Sequence, residues 1–282
     1  MRYLFALLFI CFCATSFAGG PWLQPAKSGF FQVQATLPVG TYNRLFLSNN
    51  KQLDLNREVT DMNFQAYLEY GITDKINIVT VLPYKYISTG AAQSTLTNPT
   101  LLPSGKLSGF SNYKLALKYR ISDKNYKIAV SLQSSFNSTI QDLEKGLVTG
   151  YQANSIGLYG HIGKGFSENF YSFIEGGFNS VSNNFSDFYE IHYEIGYQFK
   201  PSFWGAFTLD LRETLRNGNY RNENLRQTGF YTNNQEYFAF GLKTSYELKN
   251  KIGFNAAFFG AFSGNYVAYL RTYSIGIYKK WW

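Results

Sequence analysis

Over residues 189–199 the chain reads YEIHYEIGYQF, with large apolar side chains at every odd position and Glu190, His192, Glu194, Gly196 and Gln198 between them. Strict alternation is the mark of a strand with one apolar and one polar face. Alternating segments of about ten residues recur along the chain, as in the walls of transmembrane β-barrels. They predict strands at 29–38, 61–71, 76–87, 109–121, 126–136, 153–163, 170–178, 189–199, 203–214, 236–248, 252–262 and 267–282. Tight turns follow every second strand, through 72–75, 122–125, 166–168, 200–202 and 249–251, and the other connections are longer and polar. An even number of strands with alternately short and long connections is the layout of an outer-membrane barrel, short turns facing the periplasm. The expected fold is therefore all-β, a transmembrane antiparallel barrel of about twelve strands.

Closure of the sheet assigns the two faces. In lipid every backbone polar group must be paired internally, so a sheet survives there only as a closed ring. Arg or Lys at the bilayer midplane costs roughly 2 to 4 kcal/mol, so the charged series of each strand must face the lumen. That places Glu175, Glu190, His192, Glu194, Asp210, Arg212, Lys243 and Glu247 inside as candidate pore-lining residues. His161 points the same way, with no Ser or Asp companion evident nearby in the sequence. The turn at Pro201 suggests a register in which Glu190 faces Arg212 and His192 faces Asp210, opposite-charge or hydrogen-bonding pairs across neighbouring strands. Bulky Tyr171, Phe173, Trp204, Tyr237 and Phe259 share the inward series and predict a constricted interior, and residues 19–27 are a candidate hatch.

The first residues, MRYLFALLFICFCATSFAGG, carry one charge at Arg2, a short apolar core and a small-residue site ending at Ala18. This is the pattern of a cleaved secretory signal, expected over 1–18, with the barrel occupying 19–282. Both cysteines, Cys11 and Cys13, lie in that segment, which leaves the remainder without disulfides or thiolate ligands. No later stretch has the ~18 to 20 consecutive apolar residues of a membrane helix. Aromatic residues nevertheless make up 19% of the chain, a composition suited to interfacial girdles.

Composition and spacing also bear on chemistry. Glu190, His192 and Glu194 are suitable metal ligands by type, but same-face strand neighbours stand about 6.6 to 6.8 Å apart, and no Cys or second nearby His completes a tetrahedral set. No metal or cofactor is expected. Two inward histidines leave little for a lipid-facing Ser-His pair, so no enzyme activity is expected either. The net charge of +8 is spread over residues such as Lys51, Arg57, Lys106, Arg216, Arg221, Arg226, Lys249 and Lys251, in predicted loops and turns. That scatter reads as solvated charge, with outer-loop cations suited to lipopolysaccharide phosphates. It forms no clustered basic face of the kind a nucleic-acid partner needs.

Three segments carry a family resemblance: PWLQPAKSGFFQVQ, REVTDMNFQAYLEYGITDKINIVTVLPY and GFSNYKLALKYRI. They resemble the bacterial outer-membrane family labelled as phenol meta-pathway or transporter proteins. The resemblance covers roughly the first half of the chain after residue 18 by motif and the rest by barrel pattern. It implies an outer-membrane barrel moving small hydrophobic or aromatic molecules, and brings no catalytic residue with it. The terminal strand YSIGIYKKWW, ending in aromatics, resembles the signal read by the barrel-assembly machinery. The expected partners are thus outer-membrane lipid, lipopolysaccharide, that machinery and a small solute; the alternative reading is a non-transporting barrel that uses the loops at 38–60, 88–108 and 215–234.

Overall fold

Each alternating segment forms a strand whose odd or even series faces out and whose other series faces in. A computed structural model describes residues 20–48, 51–92 and 102–281; the expected signal at 1–18 lies outside them. Seventeen strands are present in this part. They are β1 (Gly29–Pro38), β2 (Tyr42–Leu47), β3 (Lys51–Thr73), β4 (Ile76–Thr89), β5 (Gly105–Phe110), β6 (Tyr113–Asp123), β7 (Lys127–Phe136), β8 (Gln141–Asp142) and β9 (Leu147–Val148). Then follow β10 (Ser155–Gly165), β11 (Phe170–Val181), β12 (Phe188–Lys200), β13 (Phe203–Thr214), β14 (Glu236–Glu247), β15 (Ile252–Asn265), β16 (Val267–Ala268) and β17 (Arg271–Trp281). A short helix, α1 (Glu223–Arg226), lies between β13 and β14.

Twelve of these strands close the wall, in the order β1, β3, β4, β6, β7, β10, β11, β12, β13, β14, β15, β17 and back to β1. The closing pair is antiparallel and runs from Gly29 opposite Trp281 to Pro38 opposite Thr272. Closure removes the free edges that an open sheet would expose to lipid. The outward series, including Leu117, Leu132, Leu158, Ile174, Leu242 and Ile275, is apolar and exposed, as a lipid-facing belt requires. Phe166, Phe170, Phe199 and Phe203 ring the short-turn rim, where amphipathic interfaces favour aromatic side chains.

Three features depart from the sequence-based expectation. The predicted last strand 267–282 is split: Val267–Ala268 (β16) pair with β2 outside the wall, and β17 alone closes it. Within the expected polar loop 38–60, Tyr42–Leu47 form β2 and residues 51–60 the outer part of β3, which is 23 residues long. At about 3.3 Å per residue that strand spans roughly 75 Å, far more than the apolar band, so its first half stands clear of the membrane. The predicted strand 109–121 is broken into β5 and β6 at Ser111 and Asn112. Pro83 sits opposite the break. It has no N–H to donate to the ladder, so β4 pairs with β6 up to Val81 and with β5 from Tyr84 onward. Ser111 N donates instead to Pro83 O at 2.9 Å, and the Asn112 side chain donates to Tyr151 O and Ala153 O.

The main apolar core lies outside the lumen, at the outer rim. Tyr42, Leu45, Leu55, Val59, Ile87, Leu147, Val148, Leu225 and Phe230 bury one another there. Helix α1 starts at Asn222, whose side chain accepts from Leu225 N at 3.1 Å, an ordinary N-cap. Asn224 donates to Leu143 O and Thr228 Oγ1 to Gly146 O, tying this loop to the β8–β9 hairpin. Arg57, expected among the solvated loop charges, is 4% exposed. Its guanidinium donates to Gly90 O, Lys145 O, Pro103 O and Thr89 Oγ1, so a buried cation satisfied by carbonyls pins four segments of the cap together.

Candidate functional site

The lumen is built from the inward series of the wall strands. The register expected around Pro201 is the one observed: Glu190 faces Arg212, His192 faces Asp210, and a bulge follows at Gln198 to Lys200. β11 extends the stripe, with Glu175 opposite His192 and Phe173 opposite Glu194. Glu175, Glu190, His192, Glu194, Asp210 and Lys243 line one cavity of 320 Å³, closed on its aromatic side by Tyr159, Phe173 and Tyr237. Arg212 lies further out, in a 330 Å³ chamber under the cap with Tyr151, Tyr159, Phe185, Phe188 and Tyr231. A third cavity, of 430 Å³, is walled by amides from the opposite side of the barrel, including Gln32, Gln34, Gln65, Asn112 and Asn255.

The charged stripe is braced within the wall. Glu194 is 1% exposed, accepts from Lys243 Nζ at 2.7 Å and from Tyr171 OH at 2.8 Å, and lies 3.9 Å from His192 Nε2. His192 Nδ1 is 2.6 Å from Asp210 Oδ1. Glu190 accepts from Tyr159 OH at 2.8 Å but stands 3.8 Å from Arg212 Nη1, too long for a hydrogen bond. Arg212 is instead held by its guanidinium stacking 3.7 Å over the Phe188 ring and 5.0 Å from that of Tyr151. Glu247 stands apart from the stripe, near the short-turn rim, with Lys280, Lys251 and Tyr278 around it.

Tertiary structure supplies partners for His161 that strand-local reading missed. Ser131 Oγ is 2.8 Å from His161 Nε2, and Glu175 Oε2 is 2.9 Å from Nδ1. The connectivity is that of a Ser-His-acid triad. Ser131 is 2% exposed, however, and sits mid-strand between Lys118 and Tyr159, where the neighbouring backbone N–H groups are committed to the ladder. Without an accessible nucleophile or an oxyanion donor set, the three side chains act as a brace. The three come from β7, β10 and β11, about thirty and fourteen residues apart in sequence, so only the barrel's strand order reveals them.

The segment before β1 enters the lumen at the short-turn end. Gly20 O accepts from Lys118 Nζ at 3.0 Å and Leu23 O from Arg120 Nη2 at 3.3 Å. The Trp22 ring meets Tyr171 and Phe173 edge-on, with centroids 5.5 and 5.6 Å away. Lys27 N donates to Gly71 O, and a methyl group at Gly71 would stand 2.0 Å from Pro25 O, so that glycine permits the close approach. Beneath Gly20, Lys118 is also 3.5 Å from Glu69, a fully buried carboxylate that accepts from Asn77 and Tyr67.

No family model matches the sequence, and no curated protein matches it either. Among solved structures, the chain is similar to an outer membrane channel from Pseudomonas putida F1, with a TM-score of 0.69 and 14% identity, covering 94% of this chain and 100% of that one. It is also similar to the KdgM porin, with a TM-score of 0.53 and 7% identity over 90% of this chain and 99% of that one. The CymD monoaromatic hydrocarbon channel matches with a TM-score of 0.50 and 7% identity over 92% and 89% of the two chains. At these identities the likeness is one of fold. The chain has the fold of bacterial outer-membrane β-barrels.

Proposed function

We propose that this protein is an outer-membrane channel for small solutes, with residues 20–27 as its occluding element. The observation that carries this reading is a closed wall of twelve strands around polar cavities that a structured segment enters from one end. Cavities of 320 to 430 Å³ lined by polar and aromatic side chains hold a molecule of one or two rings and exclude larger ones. Aromatic side chains at several levels, Tyr151 and Phe188 in the outer chamber and Tyr159 and Tyr237 below, favour solutes with an apolar or aromatic body. The resemblance of the first strands to the phenol meta-pathway or transporter family supports the same class of solute. The aromatic terminal strand supports insertion by the barrel-assembly machinery, and the exposed outer-loop cations suit lipopolysaccharide phosphates.

The segment is held through backbone carbonyls, through the Trp22 ring against Tyr171 and Phe173, and through burial of Leu23, so a shift of it must break all three kinds of contact. The test is reconstitution into planar bilayers and liposomes, with conductance and uptake of small aromatics measured on the same preparation. Wild-type protein is expected to show small currents, and Trp22→Ala larger ones. Folded protein that gives neither current nor uptake, in both forms, would leave a barrel that only displays its outer cap.

A further inference from the structure

The cations of the lumenal face are almost all committed. Lys85 is bonded to Asp61, Lys118 to Glu69, Lys243 to Glu194, Arg212 is near Glu190, and Lys280 is bonded to Glu247. Lys114 is different. Among the described residues no carboxylate lies within 4 Å of its ammonium, and its side chain is exposed within the lumen. It also lines all three cavities, the outer chamber, the amide-walled cavity and the cavity of the charged stripe. Any solute moving between them passes this group.

Resting on the channel reading, we infer that Lys114 is the docking point for the carboxylate of a small monocarboxylic acid with an aromatic or short aliphatic body. An ammonium without a counter-ion, in a lumen whose walls lower the local dielectric, attracts an anion and can bond it with charge assistance. Across the same 320 Å³ cavity stand Glu175, Glu190 and Asp210. Each is already held by the wall, through His161, Tyr159 and His192. They have little to offer a solute except repulsion, so a second negative charge on it is penalised. A single carboxylate at Lys114, with the ring beside Tyr159 and Tyr237, meets both demands.

Benzoate, titrated calorimetrically into folded, detergent-solubilised protein, tests the inference, with ionic currents recorded from the same samples. Wild type is expected to bind benzoate, Lys114→Gln to bind it about tenfold more weakly, and Lys114→Arg to recover most of the loss. Among the described residues the Lys114 side chain makes no hydrogen bond or ion pair, so neither substitution should disturb folding. Benzyl alcohol should bind all three equally, and phthalate should bind wild type more weakly than benzoate does. Equal benzoate affinity in wild type and Lys114→Gln, or no binding to wild type, would overturn the inference. Benzoate binding that depends on Lys114 in protein that carries no current would uphold the site and reject the channel.

Discussion

Removing the Lys243 ammonium should cost the barrel more than removing the Arg212 guanidinium's partner Glu190. The reason is Glu194, whose carboxylate is 1% exposed and lies 2.7 Å from Lys243 Nζ. At that separation, with an effective dielectric constant of about 20, the attraction is about 6 kcal/mol before desolvation is subtracted. Deleting one partner of a buried pair costs roughly 3 to 5 kcal/mol, because the other charge is left stranded. Tyr171 OH still donates to Glu194, so the lower figure applies, and Lys243→Ala should cost about 3 kcal/mol. In a Glu194→Gln background the stranded charge is gone, and the same substitution should cost only about 1 kcal/mol, a coupling of about 2 kcal/mol. Glu190 and Arg212, 3.8 Å apart, should couple by less than about 1 kcal/mol, since ring stacking holds the guanidinium. Urea unfolding in lipid vesicles, followed by tryptophan fluorescence, measures both cycles. If Lys243→Ala costs the same in either background, or if the Glu190–Arg212 coupling is the larger, the assignment of energy to these pairs is wrong.

Other consequences follow from the segment 20–27 and the cap. Gly71→Ala places a methyl group against Pro25 O, so it should displace residues 24–27 and raise single-channel conductance while leaving the barrel folded; unchanged conductance would show that the segment does not occlude. Arg57→Ala removes the bonds to three part-buried backbone carbonyls, at about 0.5 to 1.5 kcal/mol each, and should open the cap to proteolysis without lowering resistance of the wall to urea. Asp187, in the outer connection before β12, is pushed up by burial, but donors from Asn217, the Val181 N–H and Ser180 outweigh this and hold it below the ordinary carboxylate range. A depressed pKa means that the tie stabilises the loop above the ordinary value of 3.8 and weakens as pH falls through the lower folded value. Exchange at the Val181 amide should therefore accelerate, relative to its intrinsic rate, on acidification below that range, and Asp187→Asn should remove the pH dependence.

The wall was legible from alternation because the strand's two-residue period forces apolar and charged series onto opposite faces, and lipid punishes a slip by one residue. The same logic, with the turn at Pro201, was enough to set Glu190 opposite Arg212 and His192 opposite Asp210. Sequence could not reveal how far these pairs would close, since the 3.8 Å gap at Arg212 depends on Phe188 and Tyr151 offering the guanidinium a better seat. Nor could it reveal the triad-like contact of Ser131, His161 and Glu175, the burial of Arg57, or the outer cap, all of which join residues distant along the chain. Local periodicity determined strand, face and closure, because these depend on neighbours two residues away. The contacts that seat residues 20–27 in the lumen, the three cavities and the lack of a carboxylate beside Lys114 among the described residues were decided by tertiary structure, because a lumen exists only after the last strand has met the first.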